Sequence, residues 1–163
     1  MNIGASLLHN FPLICAGIGW FSAQIIKVFT GVFKLRKFSI TGLLFGNGGM
    51  PSSHSAAVTS LAIACGLSEG FDSTYFAIAM LFAIIVMGDA FGVRRETGEQ
   101  AKILNRIMKD LFKPDGHEAF DKDLKELVGH TPLQVFVGSA WGFVIPFLVS
   151  LIPLYATYNP FLA

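Results

Sequence analysis

An all-α integral membrane protein is the fold class this sequence predicts, and three observations carry the prediction. The chain has 163 residues, of which 53% are hydrophobic and only 14% charged, too apolar a balance for an average soluble domain. Apolar runs long enough to cross a bilayer recur along it. Its cations are clustered: all twelve Lys and Arg residues fall at Lys27, within 34–37, or between Arg94 and Lys125. Clustered cations mark the loops held on the cytoplasmic side of a membrane. The expected architecture is one membrane domain over residues 1–163, with about four transmembrane helices and cytoplasmic-side amphipathic helices.

Residues 11–33 are apolar apart from Ser22, Gln24, Lys27 and Thr30, and at about 1.5 Å per residue they reach across ~30 Å of hydrocarbon. Gln24 and Lys27 lie one turn apart on one face, which intramembrane polar groups usually turn towards the bundle or water. The alternative is that Lys27 snorkels to the interface. Lys34-Leu35-Arg36-Lys37 follows, then a Gly-rich stretch through Gly46-Asn47-Gly48-Gly49 that reads as an interfacial or re-entrant loop. The second span is expected at 53–67, where Ala56, Ala57, Ser60, Ala62, Ala64 and Gly66 suit close helix approach in lipid. The acidic turn 68–72 leads to a third span at 73–93 containing one acid, Asp89.

Residues 94–130 change character, being polar and rich in both charges. Ile103, Leu104, Ile107, Met108 and Leu111 recur at helical spacing, which predicts an amphipathic helix on the membrane surface or on the bundle. Lys113-Pro114-Asp115-Gly116 breaks it, and a shorter helix is expected at 119–128. A fourth span is expected at 131–155, with Pro132 in its first turn and a kink at Pro146. Cys15 and Cys65 lie inside apolar runs and read as small buried hydrophobes, so neither a disulfide nor a metal site is expected. No basic residue precedes the first apolar run, which argues against a removable signal peptide.

The positive-inside rule puts both basic segments in the cytoplasm and both termini outside. Residues distant in the chain then meet at one membrane face: Lys27 and Lys34, Ser52, Ser53 and His54, Asp89, Arg94 and Arg95, and His130. Gly48-Gly49-Met50-Pro51 running into Ser52-Ser53-His54 suits an oxyanion, because free backbone can approach it and a helix N-terminus favours negative charge. The plainer reading is that Ser52 or Ser53 is an ordinary N-cap. Cations with two histidines and no metal-ligand spacing describe phosphate handling: the cations neutralise oxygens, and the histidines act as nucleophile and acid.

Four ordered motifs carry a family resemblance over nearly the whole chain. They are Gly49-Met50-Pro51-Ser52-Ser53-His54-Ser55-Ala56, Asp89-Ala90-Phe91-Gly92-Val93-Arg94-Arg95, Gly98-Glu99-Gln100-Ala101 with Leu104-Asn105, and Leu124 through Gly129-His130-Thr131-Pro132-Leu133-Gln134-Val135. Together they resemble the divergent branch of the type 2 phosphatidic acid phosphatase family, related to acid phosphatases and vanadium-dependent haloperoxidases. The resemblance implies a cofactor-free, metal-independent lipid phosphatase. It makes Lys27, Ser52 and Ser53 phosphate-binding, His54 the general acid and His130 the nucleophile. His130 would attack a phosphomonoester in line, His54 would protonate the leaving alkoxide, and water would hydrolyse the phosphohistidine.

The chain departs from the wider superfamily at four places. Ser53 stands for a glycine, the Arg-Pro pair of the first motif is absent, and Leu124 stands for an arginine, leaving Arg94 or Arg95 to serve. Gln134 stands for the Asp that orients the nucleophile, and an amide cannot stabilise an imidazolium as a carboxylate does. Asp89 or Glu126 is the candidate substitute. A membrane lipid is the expected partner, a homo-oligomer is compatible, and no nucleic acid is expected. The competing readings are a non-catalytic anionic-lipid or phosphate binding or transport protein, and a structural subunit whose polar residues only pack helices. Haloperoxidase activity is not expected, and His9 and His117 have no assigned role.

Overall fold

The structure, a computed structural model, describes residues 3–35, 50–111 and 131–160, and there the chain is helical with no strand among the described residues. In chain order the helices are α1 (Ile3–Leu8), α2 (Phe11–Leu35), α3 (Ser53–Glu69), α4 (Thr74–Phe91), α5 (Val93–Leu111) and α6 (Pro132–Val149), followed by a 3₁₀ turn at Pro153–Tyr158. The Gly-rich loop before Met50 and the short helix expected at 119–128 lie outside the described residues.

Helix α3 sits at the centre, and its composition explains why. It buries Ser53, Ser55, Ala56, Ser60, Ala62, Ala64 and Gly66, all small, so neighbouring backbones approach closely. Helix α2 runs antiparallel to it, with Gly19 set against Ser60 and the carbonyl of Ala56, where an added Cβ has no room. Helix α6 runs parallel, and Gly138 and Gly142 lie so close to the backbones of Ser52 and Ala56 that a side chain at either would overlap them. The Ser60 hydroxyl donates to the Gly142 carbonyl at 3.0 Å, a cross-helix bond that satisfies a hydroxyl wholly removed from solvent.

Helix α4 folds back on α3 through a tight turn. Gly70 closes α3 at φ 94°, a left-handed conformation that a Cβ would strain, and Ser73 caps α4 by accepting the Phe76 N–H at 3.2 Å. Along α4 the small Ala79, Ala83 and Ala90 are buried, while Tyr75, Ile78, Leu81, Phe82, Ile84 and Ile85 point outward. Small residues in and bulky apolar residues out is the arrangement for a helix surrounded by lipid, where tails wet large side chains as well as a protein core does.

Gly92 divides α4 from α5 without breaking the hydrogen-bond ladder, since the Gly92 N–H reaches Gly88 O and the Glu96 N–H reaches Gly92 O. The boundary expected between the apolar span ending at 93 and the polar segment starting at 94 is thus a junction of two helices joined end to end at Gly92. Of the stripe expected to make α5 amphipathic, Ile103, Leu104 and Ile107 are exposed, whereas Gly98 and Asn105 are buried. The apolar face of α5 is therefore not packed on the bundle.

Helix α6 begins with a capping box, in which the Thr131 hydroxyl accepts from Gln134 N and the Gln134 amide oxygen accepts from Thr131 N at 3.0 Å. It passes through Pro146 and ends at Val149, earlier than the expected 155. Ser150 takes up the Phe147 carbonyl with its hydroxyl, and Pro153 cannot donate to a continuing helix, so the chain tightens into the 3₁₀ turn. That turn closes the end of the bundle away from the α3 start. There Phe11, Cys15, Ala64, Ile145, Val149 and Tyr155 form a core, Phe11 stacks on Tyr158 at 4.4 Å, and the Tyr155 hydroxyl donates to Leu8 O at 2.5 Å. Among the described residues, α2 over Phe11–Thr30 and α6 are long and apolar enough to cross a bilayer, and α4 is a shorter apolar helix.

Candidate functional site

The site is built where α3 begins. The Met50–Pro51 peptide bond is cis, and Ser52 follows in an extended conformation. Ser52 is the N-cap: its hydroxyl accepts the Ser55 N–H at 3.3 Å and the Ser55 hydroxyl at 3.0 Å, and its carbonyl accepts the Ala56 N–H. Its own N–H donates to the Gln134 carbonyl at 3.0 Å, tying the first turn of α3 to the first turn of α6. The plain reading, an ordinary N-cap after a proline, holds for Ser52. Ser53 differs. Its side chain is 1% exposed and its hydroxyl has no hydrogen-bond partner among the described residues.

Helix α2 supplies the cation. Its antiparallel register on α3 runs from the Cys15–Ala64 core through Gly19 against Ser60 to Thr30, whose hydroxyl donates to Met50 O at 2.7 Å. That register sets Gln24 and Lys27 at the height of Ser52 to Ser55. Lys27 is 8% exposed and Gln24 6%, so the face they share turns into the bundle and Lys27 does not snorkel. The amide oxygen of Gln24 is also without a partner. Among the described residues the ion pair present is Lys102 with Glu99, exposed on α5, so no described carboxylate neutralises Lys27. An unpaired buried cation costs on the order of several kcal/mol, and an unsatisfied buried hydroxyl about 1–3 kcal/mol. An anion carrying several acceptor oxygens would remove both costs together.

The remaining candidates divide between those brought to this end of the bundle and those outside the described residues. His54 is in the first turn of α3, exposed and engaged in an interaction. Asp89 lies in the last turn of α4, half-buried and likewise engaged; the Ser139 hydroxyl contacts the Met87 sulfur, which fixes that end of α4 beside the start of α6. Arg94 and Arg95 fall in the first turn of α5. Their side chains, that of Lys34, and the whole of His130 and Glu126 lie outside the described residues. The convergence expected from charge and topology is thus realised in the backbone: the C-terminal half of α2, the start of α3, the end of α4 and the start of α6 meet at one end.

Sequence reading undervalues two residues. Gln24 was legible as a polar neighbour of Lys27, but only its burial with an orphaned oxygen makes it part of the site. Gln134 reads as a missing orienter, yet its side chain has work of its own as the reciprocal member of the α6 capping box. The signal was present as Thr131-Pro132-Leu133-Gln134, a Thr followed three residues later by Gln.

The sequence pattern of the group described as the Divergent PAP2 family matches residues 8–145. The chain belongs to the divergent PAP2 family. A member of similar size, described as the uncharacterized membrane protein YuiD of Bacillus subtilis (strain 168), is 40% identical, over 88% of this chain and 96% of that protein. No solved structure matches the chain. With a membrane protein as its relative and helices able to cross a bilayer, this family member is an all-α membrane protein. The matched region includes the α2 cation, the α3 start and the α6 start, so the cradle lies within the part of the chain that the family shares.

Proposed function

We propose that this chain is a metal-independent phosphatase acting on a lipid phosphomonoester through a phosphohistidine. The observation that carries the proposal is the buried Lys27 without a described carboxylate partner, level with the orphaned hydroxyl of Ser53 at the N-terminus of α3. A cation and a helix N-terminus at one height of the bundle, both removed from water, supply what a phosphoryl group requires as charge builds on its oxygens. His130, adjoining the Thr131 cap in sequence, attacks phosphorus in line; the P–O bond to the lipid breaks, His54 gives its proton to the alkoxide, and water then releases phosphate from the histidine. In this reading the chain has four spans in a bacterial plasma membrane, with both termini outside and the site facing the cytoplasm, an orientation that the clustered cations support. The test is phosphate release from phosphatidic acid, phosphatidylglycerophosphate and polyprenyl phosphate by detergent-purified protein in EDTA. Wild type should turn over at least one of them, and His54→Ala and His130→Ala should each lower the rate by about 10²-fold or more. Turnover that survives both substitutions would overturn the histidine mechanism.

The second reading, a non-catalytic anionic-lipid or phosphate binding protein, draws on Gln134, whose amide oxygen is committed to Thr131 N where the wider superfamily has a carboxylate. It predicts no phosphate release from any of the three lipids, with phosphate binding that still depends on Lys27.

A further inference from the structure

We infer that the apolar groove between α2 and α6 receives a hydrocarbon chain of the lipid whose phosphate occupies the Lys27–Ser53 cradle. This inference rests on the anion site proposed above and adds to it the second half of the ligand. The groove is open to the outside and has a volume of about 400 Å³, within the range of about 300–1,000 Å³ typical of small-molecule sites. Ile26 and Thr30 of α2, Met50 and Pro51 before α3, and Ala140 and Trp141 of α6 form its walls.

Two features relate it to the cradle. On α2, Ile26 of the groove is followed directly by Lys27; before α3, Pro51 of the groove is followed directly by Ser52 and Ser53. The same two chain segments thus contribute residues to the groove and to the cradle. The walls are also chemically apolar, because their polar atoms are already committed. The Thr30 hydroxyl donates to the carbonyls of Lys27 and Met50, and the Trp141 indole N–H donates to the Ser22 hydroxyl at 2.9 Å. What remains facing the groove is methyl, methylene, thioether and ring. A water-soluble phosphate ester gains nothing from such walls, whereas a hydrocarbon chain joined to a phosphate matches the groove and the cradle together.

Trp141 makes the inference measurable. The chain has two tryptophans, so Trp20→Phe leaves Trp141 as the sole fluorophore. With His130→Ala added to keep the lipid intact, this protein is placed in phosphatidylcholine nanodiscs. A small fraction of either phosphatidic acid or phosphatidylcholine is then supplied with brominated acyl chains, since bromine quenches tryptophan on contact. Brominated phosphatidic acid should quench Trp141 saturably, and phosphatidylcholine should need roughly tenfold more to match it, the worth of one hydrogen bond to a charged group. Ala140→Leu, an exposed position that narrows the groove, and Lys27→Met, which removes the cation, should each abolish the preference. Equal quenching by the two lipids would overturn the inference, as would a phosphatidic acid preference that depends on Lys27 but is indifferent to Ala140→Leu. The readout is binding, so absent phosphate release alongside preferential quenching would defeat the phosphatase reading and leave the groove standing. Release from wild type without preferential quenching would do the reverse.

Discussion

The start of α3 and the body of α5 invert the pattern of a water-soluble helix in opposite ways. At α3 the buried side is polar: Ser52, Ser53 and Ser55, with Lys27 and Gln24 of α2 at their level, are all removed from solvent. At α5 the exposed side is apolar, with Ile103 at 60%, Leu104 at 46% and Ile107 at 45% exposure, while Asn105 is buried. In water both would be faults. In a membrane protein the first marks a candidate site, because groups that cannot be hydrated are kept only where a ligand or a neighbour satisfies them. The second is a surface for lipid, because an apolar stripe flanked by charges settles at the headgroup boundary. The contrast teaches that exposure must be read against the solvent each helix meets.

The strongest way to break the comparison is to separate the helices that bury the polar groups. Gly138→Leu or Gly142→Leu drives a side chain into the backbone of Ser52 or Ala56 and should cost on the order of 3 kcal/mol or more, seen as loss of monodisperse protein on gel filtration. Gly88→Leu, with open space around its Cβ position, is the control and should remain monodisperse. Next in size is Lys27→Met. It should weaken phosphate binding by roughly tenfold or more while leaving the thermal midpoint unchanged or raised, since a buried unpaired charge is exchanged for an apolar chain. A fall in both would show that Lys27 has a structural partner.

Ser60→Ala sharpens the packing side of the contrast. It leaves the Gly142 carbonyl without its cross-helix donor and should cost about 1 kcal/mol in detergent unfolding, with phosphate binding unchanged. The smallest effect is expected on α5, where Ile103→Ser should shift detergent stability by less than about 0.5 kcal/mol. Its position can be read by labelling instead: in a background with Cys15→Ala and Cys65→Ala, a water-soluble maleimide should modify Glu99→Cys readily and Ile103→Cys slowly in vesicles. Equal labelling would place the apolar face of α5 in water.

Much of the fold was legible because lipid imposes simple rules. The start of α2 could be read from the apolar run that begins at Phe11, and those of α3 and α6 from Pro51-Ser52 and from Thr131-Pro132, local signals of helix entry. The ends were harder. That α6 stops at Val149 depends on Ser150 and Pro153 acting together, whereas hydropathy alone continues to 155. The separation of α4 from α5 was more legible, since the chain turns from apolar to polar after residue 93, next to Gly92, even though the hydrogen-bond ladder carries through it. Within the site, Lys27 and Ser53 were legible as candidates by residue type. Gln24 was legible only as a polar neighbour of Lys27 on the same face; that its amide oxygen has no partner among the described residues is decided by packing.

The sequence by itself determined that the chain is helical, that it belongs in a membrane, and which ends of its helices carry charge, because these depend on composition and on spacing within single segments. The tertiary structure alone decided which polar groups are left unsatisfied. Ser52 and Ser53 are adjacent and chemically identical, yet one hydroxyl caps α3 and the other is buried without a partner. Ser52 holds the extended N-cap conformation that presents its hydroxyl to the Ser55 N–H, whereas Ser53 is the first helical residue and its hydroxyl depends on what the neighbouring helices bring against it, which no local pattern encodes.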